Sequence, residues 1–319
     1  MSELRVKIAR KQAEAQGICS FELVAADGRS LPKFTAGAHI DVVIKDGLVR
    51  QYSLCNAPSE NGRYVIGVLK AGASRGGSLS MHNEIHEGDE ISISPPKNHF
   101  SLEANAKSSL LLAGGIGITP IICMAEQLSA GNANFKLHYC SRSPERAAFI
   151  ERILNSAFRN NTCFHFDDGE VDQQLNLVEL LKGATSETHI YVCGPQGFID
   201  AVLKTAREQG CPEARLHYEF FSAENDTGEN DTEFEVALAS SGKIVKVGRE
   251  QTVVDALANI GVEIPTSCEQ GVCGTCLTRI LEGVPDHKDL FLTPDEHAAN
   301  NQFLPCCSRA KSKRLVLDL

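Results

Sequence analysis

Near its C-terminus the chain reads Cys268-Glu-Gln-Gly-Val-Cys273-Gly-Thr-Cys276, with Cys306 and Cys307 some way downstream. C-x4-C-x2-C followed by a distant cysteine is the spacing of a plant-type [2Fe-2S] cluster, in which each of two irons needs two protein thiolates beside the bridging sulfides. The loop must wrap a rigid binuclear centre closely. Gly271 and Gly274 permit that turn and let backbone N–H groups point at sulfur. The bland alternative is a zinc site or a run of buried free thiols. Zinc usually takes two paired C-x2-C knuckles or a Cys/His mixture, and one knuckle is present here, which favours iron and sulfide. Cys268, Cys273 and Cys276 are three ligands, and the adjacent Cys306 and Cys307 both offer a fourth.

The other seven cysteines are scattered along the 319 residues. Met1 to Gln16 is studded with charge and has no signal-peptide core, so the expectation is a cytoplasmic chain with reduced thiols rather than disulfides. A net charge of -10 without Lys/Arg clusters argues against nucleic acid and anionic membrane surfaces as partners. No apolar run approaches the roughly 20 residues that span a bilayer.

The length suits two or three domains. From Val6 to about Phe100, short alternating or β-branched runs (Ile40 to Ile44, Gln51 to Leu54, Tyr64 to Leu69, Glu90 to Ser94) are separated by turns, which predicts an antiparallel barrel or sandwich. From Ser108 the rhythm becomes apolar run, glycine-rich turn, helix, and this implies a parallel α/β sheet. It recurs at Phe135 to Cys140 and at His189 to Cys193, the latter followed by a helix over Gln196 to Gln209. The polar, acidic stretch after Phe221 reads as a solvated linker. Beyond it lie two strands around Ser241-Gly242, a short helix near Thr252 to Ile260, the cysteine loop and a strand at Leu315 to Leu317. The expected divisions are 1–104, 105–222, a linker at 223–232, and 233–319.

Two segments of the first region carry chemistry. Arg50-Gln-Tyr52-Ser53-Leu54 lies on an expected strand, where Tyr52 offers a flat ring and Ser53 a small hydrogen-bonding group. Ser74-Arg75-Gly76-Gly77-Ser78 sets a cation beside glycines and hydroxyls ahead of a short helix, a way to hold a phosphate. Taken singly, such an arginine is usually a solvated charge and such a tyrosine usually core. In the second region Gly114-Gly115-Ile116-Gly117-Ile118-Thr119-Pro120 joins a buried strand to a helix, where glycines admit a pyrophosphate close to the backbone. It is not the G-x-G-x-x-G fingerprint, and no acidic residue follows about twenty positions on. Tyr191-Val-Cys193-Gly194-Pro195 stands at a second strand-to-helix switch. Ser141-Arg142 ends another strand, and a Ser-Arg pair there suits a ribose 2'-phosphate, as in NADPH.

Taken together and in this order, these motifs resemble the phthalate dioxygenase reductase and vanillate O-demethylase reductase family, within the ferredoxin reductase superfamily. The resemblance covers essentially the whole chain. It implies an antiparallel β-barrel flavin domain, an α/β nucleotide domain and an α+β (β-grasp) ferredoxin domain. It further implies FMN, with Arg50, Tyr52 and Ser53 along its ring system and Arg75, Gly77 and Ser78 on its phosphate. NADH is the expected nucleotide, held by Gly115, Gly117, Thr119, Ser141, Arg142, Cys193 and Gly194, with Ser53, Thr119 and Cys193 at the reacting centre. Phe221, ending His217-Tyr-Glu219-Phe-Phe221, resembles the family's shielding aromatic. In the family's Ser-Arg pattern the last ligand precedes one small residue, which makes Cys306 the fourth ligand here, although the doubled cysteine is a departure. The implied activity is transfer of reducing equivalents from NADH through flavin to the cluster, and then singly to a Rieske-type oxygenase acting on an aromatic ring or methoxyl group. A reductase for a haem monooxygenase and a non-enzymatic iron-sulfur redox sensor are the competing readings.

Overall fold

The computed structural model describes residues 3–44, 48–71, 76–170, 173–184, 187–221 and 231–319. The chain divides into two compact units, Met1–Glu219 and Phe220–Leu319. Among the described residues no helix is long and apolar enough to cross a membrane.

The first unit begins with an antiparallel hairpin, β1 (Leu4–Ala15) and β2 (Ile18–Ala25). On β1 Val6 and Ile8 are fully buried while Arg5 and Lys7 point outward, the period-two alternation of a half-covered strand. The predicted runs form β3 (Ala38–Val43), β4 (Val49–Ser53), β5 (Tyr64–Leu69) and β6 (Glu90–Ile93). The seven-residue helix α1 (Gly77–Asn83) lies between the last two. The hairpin β1–β2 is additional, because the outward Arg and Lys residues of β1 dilute its apolar signal. The sheet runs β4-β3-β6-β1-β2-β5, with the two-residue β7 (Lys97–Asn98) beside β3. An antiparallel bridge between Leu54 and Ile66 brings the two ends of that path together and closes the barrel. Closure leaves no long unpaired edge.

A five-stranded parallel sheet completes this unit. Its strands are β8 (Ser108–Gly114), β9 (Phe135–Ser141), β10 (Thr162–Phe166), β11 (Thr188–Cys193) and β12 (Leu216–Glu219), in the order β10-β9-β8-β11-β12. Helix α2 (Ile118–Ala130) buries its first eight residues, Ile118 to Ala125. Helices α3 (Ile150–Leu154), α4 (Leu177–Lys182) and α5 (Gln196–Glu208) form the other connections. The strand order reverses between β8 and β11, so the turns that follow them meet at one end of the sheet, where open α/β folds place their ligands.

The second unit is a mixed sheet ordered β14-β13-β19-β15-β17. Its strands are β13 (Phe234–Leu238), β14 (Ile244–Val247), β15 (Thr278–Glu282), β17 (Gln302–Phe303) and β19 (Arg314–Leu317). A small ladder of β16 (Pro285–Asp286) and β18 (Arg309–Ala310) stands apart. Helix α6 (Val253–Ala258) starts on a Thr252/Asp255 capping box and α7 (Pro294–Ala299) on a Thr293/Glu296 box. Arg309 is buried, donates to the carbonyls of Gln251, Gly248 and Thr232, and lies over the Phe234 ring. Asp231 and Thr232, at the end of the expected linker, are thereby tied into this unit, since Asp231 also pairs with Lys288 at 2.8 Å.

Phe303, Leu257 and Leu315 are fully buried in the core of this unit. Phe303→Ala is expected to cost about 3–5 kcal/mol, read as a lower denaturant midpoint in equilibrium unfolding.

Candidate functional site

In the first unit the turns after β8 and β11 press backbone on backbone. A Cβ at Gly117 would stand 2.2 Å from the Cys193 carbonyl oxygen, and one at Gly194 would stand 2.9 Å from the Gly114 Cα. Only glycine allows this approach, and Gly115 takes φ +54° to complete the turn. Thr119 is buried and its hydroxyl donates to the Ile116 carbonyl at 3.0 Å. Its methyl lies 2.7 Å from where a Cβ at Gly67 on β5 would be, so the barrel and the parallel sheet meet there through a glycine.

Cys193 ends β11, fully buried, and burial holds its thiol protonated, well above the ordinary range. Its register partner on β12 is Glu219. The Ser53 hydroxyl, at the end of β4, donates to the Glu219 Oε2 at 3.4 Å. Desolvation pushes the Glu219 carboxyl up to about 8, against the lowering effect of the Ser53 hydrogen bond. Ser53, Cys193 and Glu219 therefore share one place, and Glu219 holds a proton at neutral pH.

On the barrel, Arg50 is buried and packs against the first residue of α1. A Cβ at Gly77 would meet the Arg50 Nε at 2.9 Å. Desolvation raises the Tyr52 phenol above its ordinary range, leaving it a neutral donor. The Ser78 hydroxyl accepts from the Ala71 amide at 3.2 Å. Arg75 lies outside the described residues. Ser141 ends β9 and Arg142 follows it, and their carbonyls accept from the Asp167 and Asp168 amides at 3.1 and 3.2 Å. An acidic turn thus runs beside Ser141-Arg142. Phe221 is half-buried and belongs to the second unit.

In that second unit four thiols are gathered in pairs, Cys268 hydrogen-bonded with Cys273 and Cys276 with Cys306. Cys268, Cys276 and Cys306 are buried, and Cys273 is part-exposed. The Gln270 amide donates to the Cys268 sulfur at 3.3 Å, and backbone N–H groups also favour the thiolate of Cys273. The hydrogen bond from Cys268 is the largest influence on Cys273 and brings it down to about 5. Glu269, Gly271 and Gly274 take positive φ to fold the loop back on itself. Cys307 joins this group through a hydrogen bond with Cys306, and its sulfur also packs against Gly271, where a Cβ would stand 2.5 Å away. Paired thiols with amides aimed at sulfur fit a binuclear iron-sulfur cluster, whose thiolates need that compensation.

The model for a 2Fe-2S iron-sulfur cluster binding domain matches residues 236–311. The model for the N-terminal domain of proteins like the dimethylamine monooxygenase subunit DmmA matches residues 89–216. The vanillate O-demethylase oxidoreductase of Pseudomonas putida is 53% identical over 98% of this chain and 98% of its own. The phthalate dioxygenase reductase of Burkholderia cepacia is 40% identical over 99% of this chain and 97% of its own. This chain belongs to their family of oxygenase reductases. It is an oxidoreductase. A solved phthalate dioxygenase reductase, described as a modular structure for electron transfer from pyridine nucleotides to [2Fe-2S], superposes with a TM-score of 0.85 at 39% identity, covering 100% of this chain and 98% of that one.

Two features of this reductase escape a linear reading. Glu219 sits in the His217-to-Phe221 stretch noted from the sequence, but its hydroxyl partner is 166 positions away. Asp167 and Asp168 come beside Ser141 only through the parallel pairing of β10 with β9.

A carboxyl whose folded pKa is raised contributes stability below its unfolded value and loses it as pH rises through the folded one. The thermal midpoint of Glu219→Gln should therefore gain on that of the wild type as pH rises from 4.5 to about 8, in paired melting curves. Parallel pH profiles for the two proteins would contradict a neutral Glu219.

Proposed function

We propose that this chain is the reductase component of a two-component, Rieske-type aromatic oxygenase, either a ring dioxygenase or an O-demethylase, working in the cytoplasm. The reading divides the chain into an FMN barrel (1–104), an NADH domain (105–222), a linker (223–232) and a [2Fe-2S] domain (233–319). The observation that carries it is the pair of facing thiol couples in the cysteine loop, in one chain with a barrel and a nucleotide-type sheet. When bound, the flavin converts a two-electron hydride donor into single electrons that the cluster can carry.

Cys268, Cys273, Cys276 and Cys306 hold the cluster. Cys307 serves as packing by the family's Ser-Arg pattern, its sulfur lying against Gly271 and hydrogen-bonded to Cys306. Arg50, Tyr52, Ser53, Gly77 and Ser78 hold FMN, joined by Arg75 on the phosphate. Gly115, Gly117, Thr119, Ser141, Arg142, Cys193 and Gly194 receive NADH. The Gly117 and Gly194 contacts keep side chains out of the turns where a pyrophosphate must come close. Carboxylates at Asp167 and Asp168 would repel a 2'-phosphate beside Arg142, which supports NADH over NADPH. The neutral Cys193 thiol, the protonated Glu219 and the Ser53 hydroxyl form an uncharged, hydrogen-bonding wall suited to flat heteroaromatic rings. Phe221 is the proposed aromatic cover.

Anaerobic NADH titration of the purified protein, with flavin release, should give one FMN and one binuclear cluster per chain, and NADPH should reduce it far more slowly. Bound FAD, or equal rates with both nucleotides, would reject the corresponding assignment. Cys306→Ser should lose the cluster's visible and electron paramagnetic resonance (EPR) signals, whereas Cys307→Ser should keep them. The reverse pattern would make Cys307 the ligand.

A further inference from the structure

Beside the cysteine loop, the second unit brings two imidazoles and a carboxylate together for which the electron path has no use. His287 and Asp289 follow β16, and His297 lies on α7. The Asp289 Oδ2 is 3.1 Å from the His297 Nε2, and its Oδ1 is 3.5 Å from the His287 Nδ1. One donor atom from each residue falls within 4.8 Å of the others. The Asp289 side chain is completely buried and that of His287 is only 9% exposed. Asp289 and Asn300 are the polar neighbours of His287, yet among the described residues neither of its ring nitrogens makes a hydrogen bond of good geometry. Burial lowers the His287 imidazole below its ordinary range, which leaves a neutral ring with a lone pair to give.

We propose that His287, Asp289 and His297 form a binding site for one divalent transition-metal ion of the Zn2+ type, separate from the four thiols. Two imidazoles and one carboxylate are a zinc-type donor set, whereas Mg2+ and Ca2+ take oxygen ligands. Metal–ligand bonds of about 2.0–2.1 Å place tetrahedral neighbours about 3.3 Å apart; each carboxylate oxygen lies near that distance from one imidazole nitrogen, Oδ2 at 3.1 Å from His297 and Oδ1 at 3.5 Å from His287, and the three donors close in from within 4.8 Å to share an ion. The imidazole rings are stacked, with centroids 4.3 Å apart and planes 26° from parallel, so binding requires one of them to tilt. His297 has the room, at 30% exposure, and a water completes the shell. The carboxylate is already braced, since the Leu292 amide donates to Oδ2 at 2.9 Å and the Ser308 hydroxyl to Oδ1 at 3.3 Å. Such outer bonds orient metal ligands.

The ion would pin the His287–His297 segment against the cysteine loop. The Leu290 amide donates to the Gly271 carbonyl at 3.0 Å, and the Asp289 Cα is 3.2 Å from the place of a Gly271 Cβ. This site stands whether or not the flavin and nucleotide assignments hold.

The test uses the full chain with its iron and sulfide in place. After incubation with ZnCl2 and desalting, elemental analysis should find one zinc per chain beyond the iron, and His297→Gln should bind it at least about tenfold more weakly with an unchanged cluster spectrum. Co2+ added to the reduced wild type should broaden the cluster's EPR signal through its nearby unpaired spins, and should not do so in His297→Gln. The proposal is overturned if the wild type retains no zinc. It is equally overturned if His297→Gln retains as much, as it would were the ion in vacated thiols, or if Co2+ leaves the wild-type signal unaltered.

Discussion

Two strand-to-helix turns in this protein touch without a side chain between them. The carbonyl of Cys193 occupies the volume that any Cβ at position 117 would need, and a Cβ at Gly194 would press on Gly114. This contact fixes where β11 ends relative to β8, and with it the position of Cys193. Through the register of β11 with β12 it also fixes Glu219, and the hydroxyl of Ser53 is then close enough to meet its carboxyl group. The chemistry-bearing groups of the first unit are thus placed by glycine backbones.

What the sequence discloses follows from how local each feature is. Cysteine spacing and flanking glycines are short-range, so the turned-back loop with four gathered thiols is legible from a few residues. The short alternating or β-branched runs of β3 to β6 and the strand–turn–helix rhythm of the parallel sheet are equally local, and the antiparallel and parallel sheets follow from them, whereas the mixed sheet of the second unit is implied by the family resemblance. The hairpin β1–β2 is harder to read, because charges on its outer face disguise its inner one. Long-range pairings are not legible. Asp167 and Asp168 meet Ser141-Arg142 only once β10 lies beside β9, and the proton on Glu219 is a property of its desolvated surroundings. Of the residues singled out beforehand, Arg75 and most of the linker fall outside the described residues.

Electrostatics differ in kind between the two units. In the first, burial keeps the Cys193 thiol and the Glu219 carboxyl neutral. In the second, backbone amides and the Cys268 hydrogen bond lower Cys273, while shared hydrogen bonds and burial raise Cys268, Cys276 and Cys307.

The seam between barrel and parallel sheet runs through Gly67, whose missing side chain leaves room for the methyl of Thr119. The two halves of the first unit are therefore not interchangeable parts. A foreign barrel bringing even an alanine at that position would be wedged off its seat, so recombination among related reductases should exchange residues 1–219 as one inherited block.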